Sequence, residues 1–115
     1  MDRIIYKICP ETLWRDAEAK GVFDGAPIDH ADGFIHFSTA DQAAETAAKH
    51  FAGQDNLLLV AVDADKLGEA LKYEVSRGGA LFPHLYATMP LSAVIWVKPL
   101  PLDASGAHVF PVLDR

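Results

Sequence analysis

The run Leu57-Leu58-Leu59-Val60-Ala61-Val62 constrains the fold most, because it is apolar at both parities of an extended chain. Successive side chains of a strand point to opposite faces, so such a run must be covered on both sides. It reads as the central strand of a sheet with packed material above and below. Asp63-Ala64-Asp65 ends it, and Lys66 to Ala70 reads as a single helical turn.

The remaining elements arrange themselves around that strand. Arg3 to Cys9 is a strand rich in β-formers and closed by Pro10, with Ile4, Tyr6 and Ile8 on one face and Ile5, Lys7 and Cys9 on the other. Pro10-Glu11-Thr12 opens a helix that buries Leu13, Trp14 and Ala17 and stops at Gly21. Val22 to Ile28 reads as a short strand or irregular turn leading into an acidic loop. Thr39 to Gly53 is an Ala-rich helix with Ala43, Ala47 and Phe51 on its packed side. Leu71 to Val75 alternates like a strand with one covered face, and Ser76-Arg77-Gly78-Gly79 is a turn. Ala80 to Tyr86 is extended, Pro83 arguing for an edge or a bend. Leu91 to Leu100 and His108 to Leu113 complete the strands. Six or so strands with two main helices that do not alternate regularly predict an α+β fold, a single domain over residues 1–115.

Charge and composition exclude some functions. The net charge is −6 and the ten Lys and Arg are scattered singly, so the clustered cations of a phosphate-backbone binder are missing. Nucleic acid is not an expected partner. A single cysteine, Cys9, leaves no internal disulfide or Cys-rich zinc site and fits a reducing cytoplasm. No apolar run approaches the ~20 residues of a membrane span, and the expected location is cytoplasmic.

The polar chemistry concentrates in residues 29–42, DHADGFIHFSTADQ. Here a Gly break separates an acidic loop from a short strand. Ile35 and Phe37 share the core parity, while His36 and Ser38 share the other, about 7 Å apart along the strand. Thr39 and Gln42 have capping-box spacing at the start of the following helix. A strand turning an imidazole and a hydroxyl away from the core is a plausible wall of a ligand cleft. No Walker loop, dinucleotide-binding glycine fingerprint or nucleophile elbow is present, so the chemistry must come from a dispersed set. That set is His36, Ser38, Glu74, Arg77, His84 and Tyr86 together with Tyr6 and Lys7. An alternative groups His30, Asp32, His36 and His84 as nitrogen and oxygen metal ligands.

Asp32-Gly33-Phe34-Ile35-His36-Phe37-Ser38-Thr39-Ala40-Asp41-Gln42, Phe51-Ala52-Gly53-Gln54, Phe82-Pro83-His84-Leu85-Tyr86, and Ile5-Tyr6-Lys7-Ile8 followed by Trp14 resemble a bacterial family. That family is known as domain of unknown function 952, and the resemblance runs over nearly the whole chain. It implies an ADP-ribosyltransferase-like fold, a split, mostly antiparallel α+β sheet around an NAD cleft. Ile35-His36-Phe37-Ser38, a helix, the strand Leu59-Val60-Ala61-Val62-Asp63-Ala64 and a Gly-rich approach to Leu81 are more distantly similar to the tRNA 2′-phosphotransferases, which share that fold and consume NAD.

In the wider superfamily a polar residue on the first strand grips NAD, a second motif shapes the nicotinamide pocket, and a third supplies a Glu. The resemblance places Tyr6 and Lys7 in the first position, His36, Ser38 and Thr39 in the second, and Glu74 in the third. The first strand departs from the pattern in having no central Arg or His, and no Glu-x-Glu pair is present.

The implied roles are specific. Glu74 would stabilise positive charge at a glycosidic carbon, with His36 as the second catalytic group. His36, Ser38, Thr39 and His84 would bind the ligand, Tyr6 or Tyr86 would stack on a ring, and Lys7 or Arg77 would meet a phosphate. The expected ligand is NAD or another nucleotide-like small molecule, with no metal. The alternative is a non-catalytic module that uses the same cleft for a metabolite or protein partner.

Overall fold

The computed structural model describes residues 2–115, apart from the side chain of Arg77. In chain order the elements are β1 (Ile4–Pro10), α1 (Glu11–Lys20), β2 (Val22–Phe23), α2 (Pro27–Asp32), β3 (Ile35–His36), α3 (Ala43–His50) and β4 (Leu57–Asp63). There follow β5 (Leu71–Val75), β6 (Leu81–Leu85), β7 (Met89–Pro90) and β8 (Val94–Pro99), with 3-10 turns at Ala64–Ala70, Arg77–Gly79 and Leu91–Ala93. The fold is α+β, and every strand pair is antiparallel. None of these helices is long and apolar enough to cross a membrane.

Two three-stranded sheets, β1-β4-β8 and β3-β6-β5, carry the molecule, and β2 pairs with β7 separately. As its composition requires, β4 is central and buried along its apolar length. Leu58, Val60 and Val62 enter one core cluster with Ile5, Cys9, Trp14 and Phe23. Leu57, Leu59 and Ala61 enter another with Tyr6, Ile8, Ala47 and Leu100. The two parities of one strand therefore serve two cores. α1 ends where expected, at Gly21 in the left-handed conformation with φ 85°.

Several boundaries differ from the sequence reading. The acidic loop is a helix, α2, so the described residues hold three α-helices where two main helices were expected. Pro27 occupies its first turn, where a missing N–H costs nothing, and the left-handed Gly33 ends it. The helix expected from Thr39 begins at Ala43. Residues 39–42 form a turn in which the Gln42 side chain accepts the Thr39 N–H at 3.1 Å, so only Gln42's half of the capping box is made.

β6 is not an edge. It lies between β3 and β5 despite Pro83, whose carbonyl accepts the Phe37 N–H at 3.0 Å. Proline has no N–H to return that bond, and the β3–β6 ladder ends at the preceding pair, His36 and His84. His108 to Leu113 is not a strand. Only an isolated bridge between Leu102 and His108 forms, and Phe110 and Leu113 pack as side chains on the second core cluster.

Trp14 is 1% exposed and packs its ring against Phe23, while its indole N–H has no hydrogen-bond partner among the described residues. Trp14→Ala is expected to cost about 3–5 kcal/mol in urea unfolding. Trp14→Phe, which also removes the orphaned donor, should cost clearly less than the alanine variant.

Candidate functional site

The site begins with the polar residues of α2 and the strand after it. Asp29, at the third position of α2, accepts the Ala26 N–H at 2.7 Å, the usual use of a carboxylate at a helix start. The left-handed Gly33 then reverses the chain and lays β3 back across the helix. That return brings the His36 N–H to Asp29 Oδ1 at 3.1 Å and the His36 Nδ1 to the same oxygen at 2.6 Å. From β1, Lys7 Nζ donates to both Asp29 oxygens at 3.1 and 2.9 Å and to the His36 carbonyl at 2.9 Å. The consecutive elements α2 and β3 and the distant strand β1 thus meet on one carboxylate.

Asp29 is 2% exposed and Lys7 5%. Burial by itself would raise the Asp29 pKa, but the His36 bond, the Lys7 charge and the Ala26 N–H outweigh it and hold the carboxyl well below the ordinary carboxylate range. For Lys7, burial pulls the ammonium pKa down while Asp29 pushes it back up. The pair is a fully hydrogen-bonded salt bridge, the Lys7 Nζ being directed at both Asp29 oxygens and the His36 carbonyl. Cys9, further along β1, is pushed by burial up to about 11, so its thiol is no nucleophile.

A second carboxylate–imidazole pair lies across the strand. His84 is the register partner of His36, and its Nδ1 lies 2.9 Å from Glu74 Oε1. The Tyr86 hydroxyl donates to the same oxygen at 2.6 Å, and these two bonds lower the Glu74 pKa. Phe34 connects both halves. Its ring stacks on His84 at 4.0 Å and meets His36 at 4.6 Å and Tyr86 at 5.3 Å, while the two imidazoles stand edge-on at 5.6 Å.

Both histidines line a cleft of about 490 Å³, within the range of small-molecule sites. Its walls come from both large sheets. The sheets meet at a two-way backbone bridge, Tyr6 N–H to Ser38 O at 2.8 Å and Ser38 N–H to Tyr6 O at 2.9 Å. Tyr6, Lys7 and Ile8 line it from the first sheet and His36, Phe82 and His84 from the second, and Ile28 and Asp32 of α2, Phe37, Ser38, Thr46, His50, Phe51 and Ser76 complete the lining.

The predicted residues divide accordingly. Tyr6, Lys7, His36, Ser38 and His84 line the cleft. Within it, the Ser38 hydroxyl is buried and shares a 2.9 Å hydrogen bond with Thr46, and the Tyr6 hydroxyl donates to the Asp114 carbonyl at 2.7 Å. Glu74 and Tyr86 lie behind His84 rather than on the cleft wall, and Thr39 is off the wall as well. The Arg77 side chain lies outside the described residues. His30, from the metal grouping, lines a separate hollow of about 280 Å³ between α1 and α2 and sits 3.8 Å from Asp24. Among the described residues no group of three or more His, Cys, Asp or Glu is placed to hold a metal ion.

Sequence reasoning missed Asp29 and Phe34. Pro27 followed by Asp29 is a helix-start signal that pointed to α2. The pairing with Lys7, across 22 residues, left no local trace.

An α+β domain with a polar cleft where two antiparallel sheets meet is the class these features define. The chain belongs to the family described as "Protein of unknown function (DUF952)", whose pattern matches residues 8–97. The crystal structure of protein CC0527 from Caulobacter crescentus is similar at 54% identity and a TM-score of 0.89, covering 92% of this chain and 93% of that one. A solution NMR structure of the same protein gives 54% identity and a TM-score of 0.83, covering 91% and 90%. No curated protein matches the chain.

Asp29→Asn and Lys7→Met each strand a buried partner, and each is expected to cost about 3–5 kcal/mol. The double variant should cost well under the sum of the two in a urea double-mutant cycle. The pH dependence has a definite sign. A carboxyl with a depressed folded-state pKa contributes stability above its unfolded value of about 4 and loses it as the pH falls through the folded value. The stability gap between wild type and Asp29→Asn is therefore expected to be constant near neutrality and to narrow from about pH 4 downward.

Proposed function

We propose that the two large sheets form the split sheet of an ADP-ribosyltransferase-like fold and that the cleft between them binds NAD or another nucleotide-like small molecule. The observation that carries this reading is the convergence of Tyr6, His36, Ser38 and His84, from both sheets, on one cleft of about 490 Å³ beside the bridge that joins them. Imidazole groups suit ribose hydroxyls and an amide.

A specific observation favours binding without NAD cleavage as a second reading. Lys7 commits its ammonium to Asp29 and the His36 carbonyl, and Glu74 commits a carboxylate oxygen to His84 and Tyr86 behind the cleft. Neither stands where a phosphate clamp or an oxocarbenium-stabilising carboxylate acts in the expected scheme.

Calorimetric titration with NAD, ADP-ribose and nicotinamide tests the proposal. Saturable binding of at least one of them is expected, weakened about tenfold or more by His84→Ala, a loss of about 1.4 kcal/mol. Failure of all three and of simple nucleosides to bind, or binding indifferent to substitution at His84 and His36, would remove the proposal's basis.

A further inference from the structure

We propose that His36 and His84 form a general acid–base pair that hydrolyses ribosides of neutral bases, an inference that rests on the small-molecule cleft described above. The two imidazoles are direct register partners on neighbouring strands, stand edge-on with centroids 5.6 Å apart, and line the same cleft. Each has its Nδ1 on a carboxylate oxygen, His36 on Asp29 at 2.6 Å and His84 on Glu74 at 2.9 Å. Nε2 is therefore the atom that this bond leaves over on each ring, and the carboxylates fix the ring planes. Phe34, against both rings, restricts them further.

The two rings differ in a way that assigns their roles. His36 also meets Asp32 Oδ2 through Nε2 at 2.9 Å, so both its nitrogens face carboxylates. Only the ring carrying two N–H groups donates to both. His84 has one carboxylate, and a ring donating from Nδ1 keeps the lone pair on Nε2. His36 is thus the acid and His84 the base. Asp32 lies at the exposed end of α2 and also lines the cleft, so a leaving group can take its place at Nε2.

In the step, His84 Nε2 takes a proton from a water molecule while the water oxygen bonds to the anomeric carbon. The bond from that carbon to the base nitrogen breaks, its electron pair stays on the nitrogen, and that nitrogen takes the Nε2 proton of His36. One water is consumed, and free base and free ribose are released. Proton exchange with solvent resets the pair. Such an acid has a task only when the leaving base needs a proton. A pyridinium, as in NAD, departs neutral without one, and the pair therefore selects ribosides of neutral bases.

The probes are inosine, adenosine and uridine, with NAD as the cationic counterpart. Each is titrated calorimetrically, then incubated with the protein while chromatography follows the release of base. The expected result is hydrolysis of at least one neutral riboside at least tenfold faster than NAD. His36→Gln and His84→Gln should each lower kcat by about 10²–10⁴-fold, over and above any rise in KM from the lost ligand contact. Circular dichroism and an unchanged urea unfolding transition confirm the fold of each variant, and if one unfolds the other decides. Binding without turnover of any neutral riboside, NAD cleaved as fast, or full activity in a folded histidine variant overturns this inference while leaving the cleft as a binding site. Failure of all four probes, and of ADP-ribose and nicotinamide, to bind overturns both.

Discussion

The buried Asp29 carboxylate is the interaction on which the rest of the site depends. Removing a carboxylate and an ammonium from water is costly, and their attraction repays it only when the remaining hydrogen-bonding capacity is filled. Here it is filled by four donors, the Lys7 ammonium, the Ala26 N–H and two groups of His36. Apolar residues of similar volume would serve stability as well. They would not fix the distance from β1 to α2 or the plane of the His36 ring. The pair's contribution is thus best understood as specifying the position of β3 against β1, and that position defines the cleft.

The cleft has a second determinant in the backbone. β3 joins the second sheet for two residues, then leaves it, and Ser38 pairs instead with Tyr6 on the first sheet. Pro83 helps to set that departure, since it accepts the Phe37 N–H but has no N–H to donate in return. A strand that changes sheets after two residues forces the sheets apart on one side of the crossing. His36 and Ser38, either side of the crossing, both face the resulting cleft.

Much of the scaffold was legible in the sequence because its signals are local. The two-parity pattern of Leu57–Val62 determined the central strand, and Gly21 the end of α1. The buried Trp14, Ile35 and Phe37 also followed from periodicity. Boundaries set by distant partners were not legible. Six residues of α2 are too few to show a helical period, and its stability lies in Pro27, Asp29 and the packing of β3. The start of α3 moved to Ala43 because residues 39–42 make turn bonds instead. In the site, His36, Ser38 and His84 were identifiable from strand parity and residue type. The side of the cleft wall on which Glu74 falls was not, since β5 residues face either a ligand or a neighbouring strand's side chains according to sheet packing alone.

Phe34 illustrates why fold and site are hard to separate here. Its ring is the common neighbour of His36, His84 and Tyr86, so it orders groups from β3, β6 and the segment beyond. A polar side chain is held most firmly when its hydrogen bond fixes one atom and packing fixes the plane. Asp29 and Glu74 do the first for the two imidazoles, and Phe34 does the second for both. The position directly after the left-handed Gly33 is what allows one ring to do this, because the chain turns there from α2 into β3. The sequence Asp32-Gly33-Phe34-Ile35-His36 is therefore a single device, in which helix stop, ring platform, core anchor and presented imidazole follow one another in five residues.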